Sequence, residues 1–379
     1  MLKSRFARLG WPVISAAILV LAGCGRFFPP LASGTGGSGS SSGNFLYVGN
    51  LGTNPLTIAG FAVASTGLTK SSGSPYSVSL EPTALAITPT DTYLYMGSAA
   101  GGIYVYTIGS NGALTLGNGG TPVATGVEPS VLRVDPTGKW LLGADAFAGE
   151  AYVFQIGAGG ALTSITSSVV ILNASDPATD LEITPSGAFV YVACGTGGIY
   201  TMSFNTSTGA LAQINSVLAV KQSGDADYGM AITPSGGFLL AAETGIGAVR
   251  VFSISSSGTL METSGSPVTT GTGAFAVLVD STGSYVYVAN RTEGNISAFL
   301  LTNSGALTAI AGSPFSTGSL PVEMVEDKTK TYIAVVCAGG SPDLQVFTIG
   351  TTTPGALTSL GTATTGTDPT EASSIAATH

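Results

Sequence analysis

The chain has 379 residues, a formal net charge of −9 and a pI near 4.5; 9% of its side chains are charged, 44% are hydrophobic and 54 residues are glycine. That acidic balance argues against nucleic acid or an anionic lipid surface as the partner of the folded part, and it suits a cationic ligand or a metal better. The apolar share is ample for a core, and helical periodicity is absent after the first two dozen residues.

The N-terminus carries a basic stretch (Lys3, Arg5, Arg8), then an apolar run from Val13 to Val20, then Leu21-Ala22-Gly23-Cys24. This is the layout of an export signal with a small-residue cleavage site, and its apolar run is too short to span a bilayer as a stable helix. The run ending in Cys24 resembles the lipobox of bacterial lipoproteins. The resemblance implies a signal peptide over residues 1–23 and a lipid anchor on Cys24, which becomes the mature N-terminus. With Gly25 rather than Asp after the cysteine, it implies the outer membrane or cell surface rather than the inner membrane. Residues 24–43 then read as the lipidated cysteine and a Gly/Ser linker, spanning on the order of 25 Å as a flexible coil.

From residue 44 onward one unit is written repeatedly. Its clearest copy, 274–307, runs from an apolar strand through the turn Asp280-Ser281-Thr282-Gly283 to an aromatic and β-branched strand. A polar loop at 290–294, a third strand and a glycine turn complete it. The first turn recurs at Pro89, Pro136, Pro185, Pro234, Ser281 and Lys328, 47 to 49 residues apart. A repeat of that length with several strands is a β-propeller blade. Six full units lie between Pro82 and Thr358, and the two ends supply a seventh: the segment from Pro369 to Ser374 matches the innermost strand and 44–50 the second. The expected fold is therefore all-β, a seven-bladed β-propeller over 44–379, its ring closed by pairing the C-terminal strand with N-terminal strands.

Alternation along the innermost strand separates an apolar column (Leu85, Leu132, Leu181, Met230, Val277, Met324) from two columns in which polar residues concentrate. Those columns are expected to face the central channel, where Glu182, Glu323 and Glu371 are the candidate acids or bases and Arg133 the candidate partner of a developing negative charge. Two carboxylates close together in a partly dry channel push one pKa upward. The competing reading is a structural ion pair between Arg133 and Asp180 or Glu182. A second column lies at the exit of the second strand, where Asp145, Glu243 and Asn290, with Arg291 beside it and Asp180 nearby, are candidate ligand-binding residues on an acidic face; Asn and Asp also end strands simply because they cap turns. Lys70, Lys139, Lys328 and Lys330 are placed on the opposite face. Cys194 and Cys337 share one repeat column three blades apart, too far for a disulfide, and read as buried structural thiols. Asp225 and Asp227 admit Ca²⁺ only weakly, because no Asp-x-Asp-x-Asp-Gly loop is present; no other cofactor and no metal-ligand set is expected.

The strings Tyr47-Val48-Gly49-Asn50 and Tyr287-Val288-Ala289-Asn290, the Thr-Pro-Ser-Gly turns at 184–187 and 233–236, and the Gly-Ala-Leu-Thr ends at Gly112, Gly160, Gly305 and Gly355 resemble the YVTN-repeat propellers. More closely, the chain resembles the seven-bladed lactonase family that includes 6-phosphogluconolactonase. The resemblance covers 45–379 and implies hydrolytic opening of a sugar lactone. The chain departs from that picture in two ways: its one histidine is His379, and cations that could hold a phosphate are scarce. A phosphorylated substrate is therefore not expected.

Two functions remain. One is a binding or scaffold propeller, monomeric and held to the membrane by its lipid, engaging a protein, glycan or cell-wall ligand through its acidic face; the sparse catalytic inventory favours it. The other is a hydrolase of a non-phosphorylated sugar lactone.

Overall fold

The computed structural model describes residues 43–51, 56–172, 177–223, 225–340, 342–366 and 372–379. Cys24, Glu371, Asp176, Asp368 and Pro369 lie outside the described residues.

Seven antiparallel sheets form the blades of a propeller. Blade 5 shows the pattern: an inner strand Ala274–Val279, a second strand Tyr285–Asn290, a third Asn295–Leu301 and a short outer strand Leu307–Ala309. The inner strands of blades 1 to 6 are Pro82–Ile87, Pro129–Val134, Asp180–Ile183, Asp227–Ile232, Ala274–Val279 and Pro321–Glu326. Blade 7 takes its inner strand, Ala372–Ala377, from the C-terminus and its remaining strands (Phe45–Asn50, Thr57–Ala64, Gly67–Lys70) from the N-terminal part. Pairing the two ends in one sheet leaves no open edge at the seam.

The closing strand enters three residues later than the repeat spacing suggests. Ala372 pairs with Asn50 as Pro321 pairs with Cys337, and Ser374 with Gly49 as Glu323 pairs with Val336. Ala372 is therefore the counterpart of Pro321, and Ser374 occupies the column of Glu323. The physical reason lies in Ile375: this register puts the strand's one large apolar side chain, fully buried, into the column of Met324.

Both faces of each inner strand are buried, because blades stack face to face. Leu132 packs with Ala84 and Ala86 in one cluster, while Val131 packs with Leu181 in another. The polar columns thus point into blade interfaces rather than into an open channel, which corrects the expectation from alternation.

The junctions between blades follow from two repeated residues. An aromatic residue opens the second strand (Phe45, Tyr93, Trp140, Phe189, Phe238, Tyr285), and its ring lies against a turn glycine of the next blade. At Gly355, held at φ +81, a Cβ would come within 2.4 Å of the Tyr285 ring, so the turn admits only glycine. Two residues on, Tyr47, Tyr95, Tyr191 and Tyr287 donate their hydroxyls to the carbonyls of Gly112, Gly160, Gly258 and Gly355 at 2.8 to 3.1 Å.

Candidate functional site

The inner strands of blades 1, 2, 4, 5, 6 and 7 open with a β-bulge, so that one extra residue stands where the strand meets the upper face, the face formed by the turns between second and third strands; Thr179 holds the same position in blade 3. In four blades this residue carries a hydroxyl that reaches the next blade: Thr83 to the Pro129 carbonyl, Ser130 to Ala178, Thr179 to Asp227 and Ser373 to Pro82. In blades 4, 5 and 6 the same position holds Tyr228, Phe275 and Val322. These three belong to one apolar cluster, with Tyr228 at its half-buried edge. The upper collar is therefore polar on one side and aromatic on the other.

The residues singled out by alternation come together only in part. Arg133, Asp180 and Glu182 do: an Arg133 guanidinium nitrogen is 2.8 Å from Asp180 Oδ1 and 3.6 Å from Glu182 Oε1. Asp180 also accepts the Leu181 N–H at 2.8 Å and, across the blade boundary, the Met230 N–H at 2.6 Å. Glu323 sits apart, in the junction of blades 6 and 7, where it accepts the Ile375 N–H at 2.8 Å. Asp180 and Glu323 occupy the same column and do the same work, each stapling its blade to the inner strand of the next.

The exit column of the second strands is buried throughout. Asp145 accepts the N–H groups of Glu128, Phe147 and Ala148 at 2.7 to 2.8 Å, and Asn290 binds Gly271 N, Asn295 Oδ1 and Ser297 Oγ. Both hold turns and present no free polar edge to the acidic face, because a strand end without such a cap would leave buried amides unpaired. Arg291, the next residue, is half-buried and does reach the upper face.

On the opposite face, Lys139 and Lys330 are exposed and Lys328 pairs with Asp91 at 2.7 Å. Asp135, Asp280 and Asp327 are buried in those same turns as caps for the second-strand amides, so the lysines do not make that face a basic one. Cys194 and Cys337 are buried and not disulfide-bonded, and burial pushes the Cys337 thiol up to about 12.

Glu243 is different from its column mates. Its direct cross-strand partner is Asp227, the first residue of the blade 4 inner strand, where other blades have proline or alanine. Two acids paired across a sheet repel, and here both are fully buried, with Asp225 at 1% exposure beside them. Arg250 on the third strand balances part of the charge: one guanidinium nitrogen lies 2.9 Å from Glu243 Oε1 and the other 3.3 Å from Glu262 Oε2, and Lys221 pairs with the same Glu262 oxygen at 3.1 Å. Both oxygens of Asp227, Glu243 Oε2 and Asp225 Oδ2 accept no hydrogen bond from an N–H or O–H of the described protein. Carboxyl oxygens buried this way favour holding a proton among themselves.

Burial and the neighbouring charges act against ionisation of both acids. Desolvation, assisted by the charges of Asp225 and Glu262 and opposed by Arg250, pushes Asp227 up to about 6. Desolvation, a hydrogen bond with Asp225 and the charge of Asp227 push Glu243 up to about 9. Near neutral pH the pair therefore holds one proton: one carboxylate and one carboxylic acid side by side.

Next to the pair in sequence stands Tyr228. Its ring stacks on Phe275 with centroids 4.9 Å apart and planes at 28°, and the Arg291 guanidinium carbon lies 5.1 Å from the centre of the same Phe275 ring. Sequence alone marks Glu243 and Arg291 for this face and counts Asp227 among its loop acids and as a weak Ca²⁺ candidate; it does not join Asp227 to Glu243 or place the two aromatic rings. The signal for the pairing is a break in a column of prolines and alanines, which becomes visible only once the register is known. Among the described residues no group of three or more His, Cys, Asp or Glu is placed to hold a metal ion.

The whole ring has counterparts among known proteins. The chain superimposes on a protein from Lactobacillus plantarum with a TM-score of 0.71 at 21% identity, covering 89% of this chain and 99% of that one. It matches a protein of Bacteroides fragilis named as a 6-phosphogluconolactonase with a TM-score of 0.71 at 20% identity, over 91% and 100% of the two chains. For the periplasmic gluconolactonase of Pseudomonas aeruginosa the TM-score is 0.69 at 17% identity, over 89% and 99%. At such identities the likeness is one of fold. Among curated proteins no sequence matches the chain. The sequence profile described as "Lactonase, 7-bladed beta-propeller" matches residues 76–373, and the chain belongs to that family.

Proposed function

We propose that the chain is a hydrolase of a non-phosphorylated sugar lactone, with the Asp227–Glu243 pair as its acid and base. The observation that carries this reading is the buried cross-strand pair itself, two acids with a single guanidinium, Arg250, against one of them, an arrangement in which burial and mutual repulsion favour keeping a proton on the pair. In lactone opening the ionised carboxyl takes a proton from water as the water oxygen bonds to the lactone carbonyl carbon. The protonated carboxyl gives its proton to the ring oxygen as the carbon–oxygen bond breaks. One water is added and the pair ends with the proton count it began with. Arg250, fixed by Glu262, keeps the pair from gaining a second proton. Arg133 and Glu182 are engaged with each other and with Asp180, which favours blade 4 over them as the reacting centre.

The competing reading, a membrane-held binding module, loses support at Asp145 and Asn290, whose polar groups serve the fold's own turns. Hydrolysis of gluconolactone-type substrates by the soluble ring from residue 44 onward separates the two. Loss of the activity in Asp227→Asn and Glu243→Gln, with retention in Glu323→Gln, is the expected result. Activity unaffected by the first two substitutions removes the pair from the mechanism, and an inactive wild type leaves the binding reading.

The signal layout ending at Cys24 supports export and a lipid anchor as part of the same proposal. Asn44, where the linker ends, donates to Asp327 Oδ2 at 2.7 Å, on the face opposite the carboxyl pair. The face that carries the pair would then lie away from the tether's point of attachment. Cys24→Ser should move the protein from membranes to the soluble fraction, and continued membrane retention would count against the anchor.

A further inference from the structure

We infer that Arg291, laid on Phe275 beside Tyr228, is a seat for a carboxylate carried by the ligand, and that the preferred substrates are sugar lactones bearing a free carboxylate. The seat is read from its own geometry; its connection to lactones rests on the function proposed above.

Arg291 stands out by what it lacks. Arg133 is paired with Asp180, and Arg250 with Glu243 and Glu262. Among the described residues no carboxylate lies within ion-pair distance of Arg291, which is what separates it from Arg133 and Arg250. The acid nearest in sequence, Glu293, is spent on the backbone and hydroxyl of Thr272 and on Asn295. A half-buried guanidinium without a counter-ion is incompletely solvated, and a planar carboxylate matches its fork with two parallel hydrogen bonds. The Phe275 ring beneath fixes the plane of the fork, since guanidinium groups stack on aromatic faces.

Position ties the seat to the reacting pair. Arg291 rests on Phe275, Phe275 stacks on Tyr228, and Tyr228 follows Asp227 in the chain. A ligand whose carboxylate meets Arg291 would lay its ring along the half-buried Tyr228 toward the carboxyls. The overall charge of −9 slows the approach of an anion, but exposed charges are screened beyond about 8 to 10 Å at physiological salt, so the local guanidinium decides the bound state.

The test compares glucarolactone, which carries a free carboxylate, with gluconolactone, which does not, on wild type, Arg291→Gln and Arg291→Lys. Wild type should show the lower KM for glucarolactone. Arg291→Gln should raise that KM roughly tenfold to a hundredfold, the range for a hydrogen bond to a charged group, while changing the gluconolactone value little. Arg291→Lys should recover only part of the loss. Equal KM values for the two lactones in wild type, or a loss in Arg291→Gln shared equally by both, overturns the seat. If wild type hydrolyses neither lactone, the catalytic proposal fails, and calorimetry of glucarolactone binding to wild type and Arg291→Gln reads the seat alone: binding weakened by the substitution supports it, and binding that is absent or unchanged refutes it.

Discussion

Replacing Asp227 by asparagine should stabilise the protein while abolishing the proposed activity. Burial and neighbouring acids raise Asp227 from 3.8 to about 6. A raised carboxyl means that the folded chain binds more protons than the unfolded chain between those values, so stability falls as pH rises through that window. Below about pH 4 both states are protonated and the cost is absent. Above about pH 6 it is fully present, and a rise of that size in a buried carboxyl corresponds to about 3 kcal/mol. Asparagine is neutral at every pH, and its amide can donate to Glu243 Oε2, which has no other N–H or O–H donor among the described residues. Urea unfolding of the soluble ring at about pH 4, 6 and 8 should therefore show the variant close to wild type at the lowest pH and more stable by up to about 3 kcal/mol at the highest. A variant less stable than wild type by the same amount at all three pH values would refute the reasoning, because it would mean that Arg250 already compensates the ionised pair and that Asp227 is a structural ion.

Desolvation, assisted by the charge of Asp280 and opposed by hydrogen bonds from Ser281, raises the buried Glu326 to about 7. By the same sign argument Glu326→Gln should gain stability above about pH 7 and lose that gain below about pH 5, measured by the unfolding midpoint across pH. Tyr287→Phe removes the 2.9 Å hydrogen bond to the Gly355 carbonyl and should cost about 1 kcal/mol in urea unfolding without changing catalysis. Deleting 372–379 strips the strand that pairs Tyr47 with Ala376 and Val48 with Ile375, and calorimetry should show a large fall in Tm; an unchanged Tm would mean that ring closure contributes nothing.

Much of this architecture is legible in the sequence because each blade repeats three local signals: alternating apolar strands, a Thr or Asp before the first turn, and a glycine before the outer strand. What fails is whatever depends on register. The segment 372–377 is mostly alanine and serine, with so little apolar contrast that spacing from Pro369 looks as good as the true pairing set by Ile375. Asp145 and Asn290 cannot be separated by sequence into ligand groups or turn caps, since the same side chains serve both purposes. The polar columns of the inner strand point to a channel only because alternation says that neighbouring residues face opposite ways; it does not say that both ways lead into a blade interface.

The same repetition explains where a site becomes recognisable. In a ring built from one unit, a residue kept in every blade serves the unit, so a site should show itself as a place where several columns change together. Blade 4 and its boundary with blade 5 are such a place. Asp227 replaces the proline or alanine that opens other inner strands, and Tyr228 and Phe275 replace the hydroxyls that clasp neighbouring blades. Glu243 adds a second acid across the sheet, and Arg291 keeps a guanidinium with no carboxylate partner among the described residues. Each change gives up something the fold uses elsewhere: a buried charge is costly, and an aromatic ring cannot make the hydroxyl's bond to the next blade. Packing in one apolar cluster accounts for the two rings, but not for two buried acids facing each other, and these lie on the face that also carries the uncompensated Arg291. That combination suits opening a cyclic ester and gripping its carboxylate.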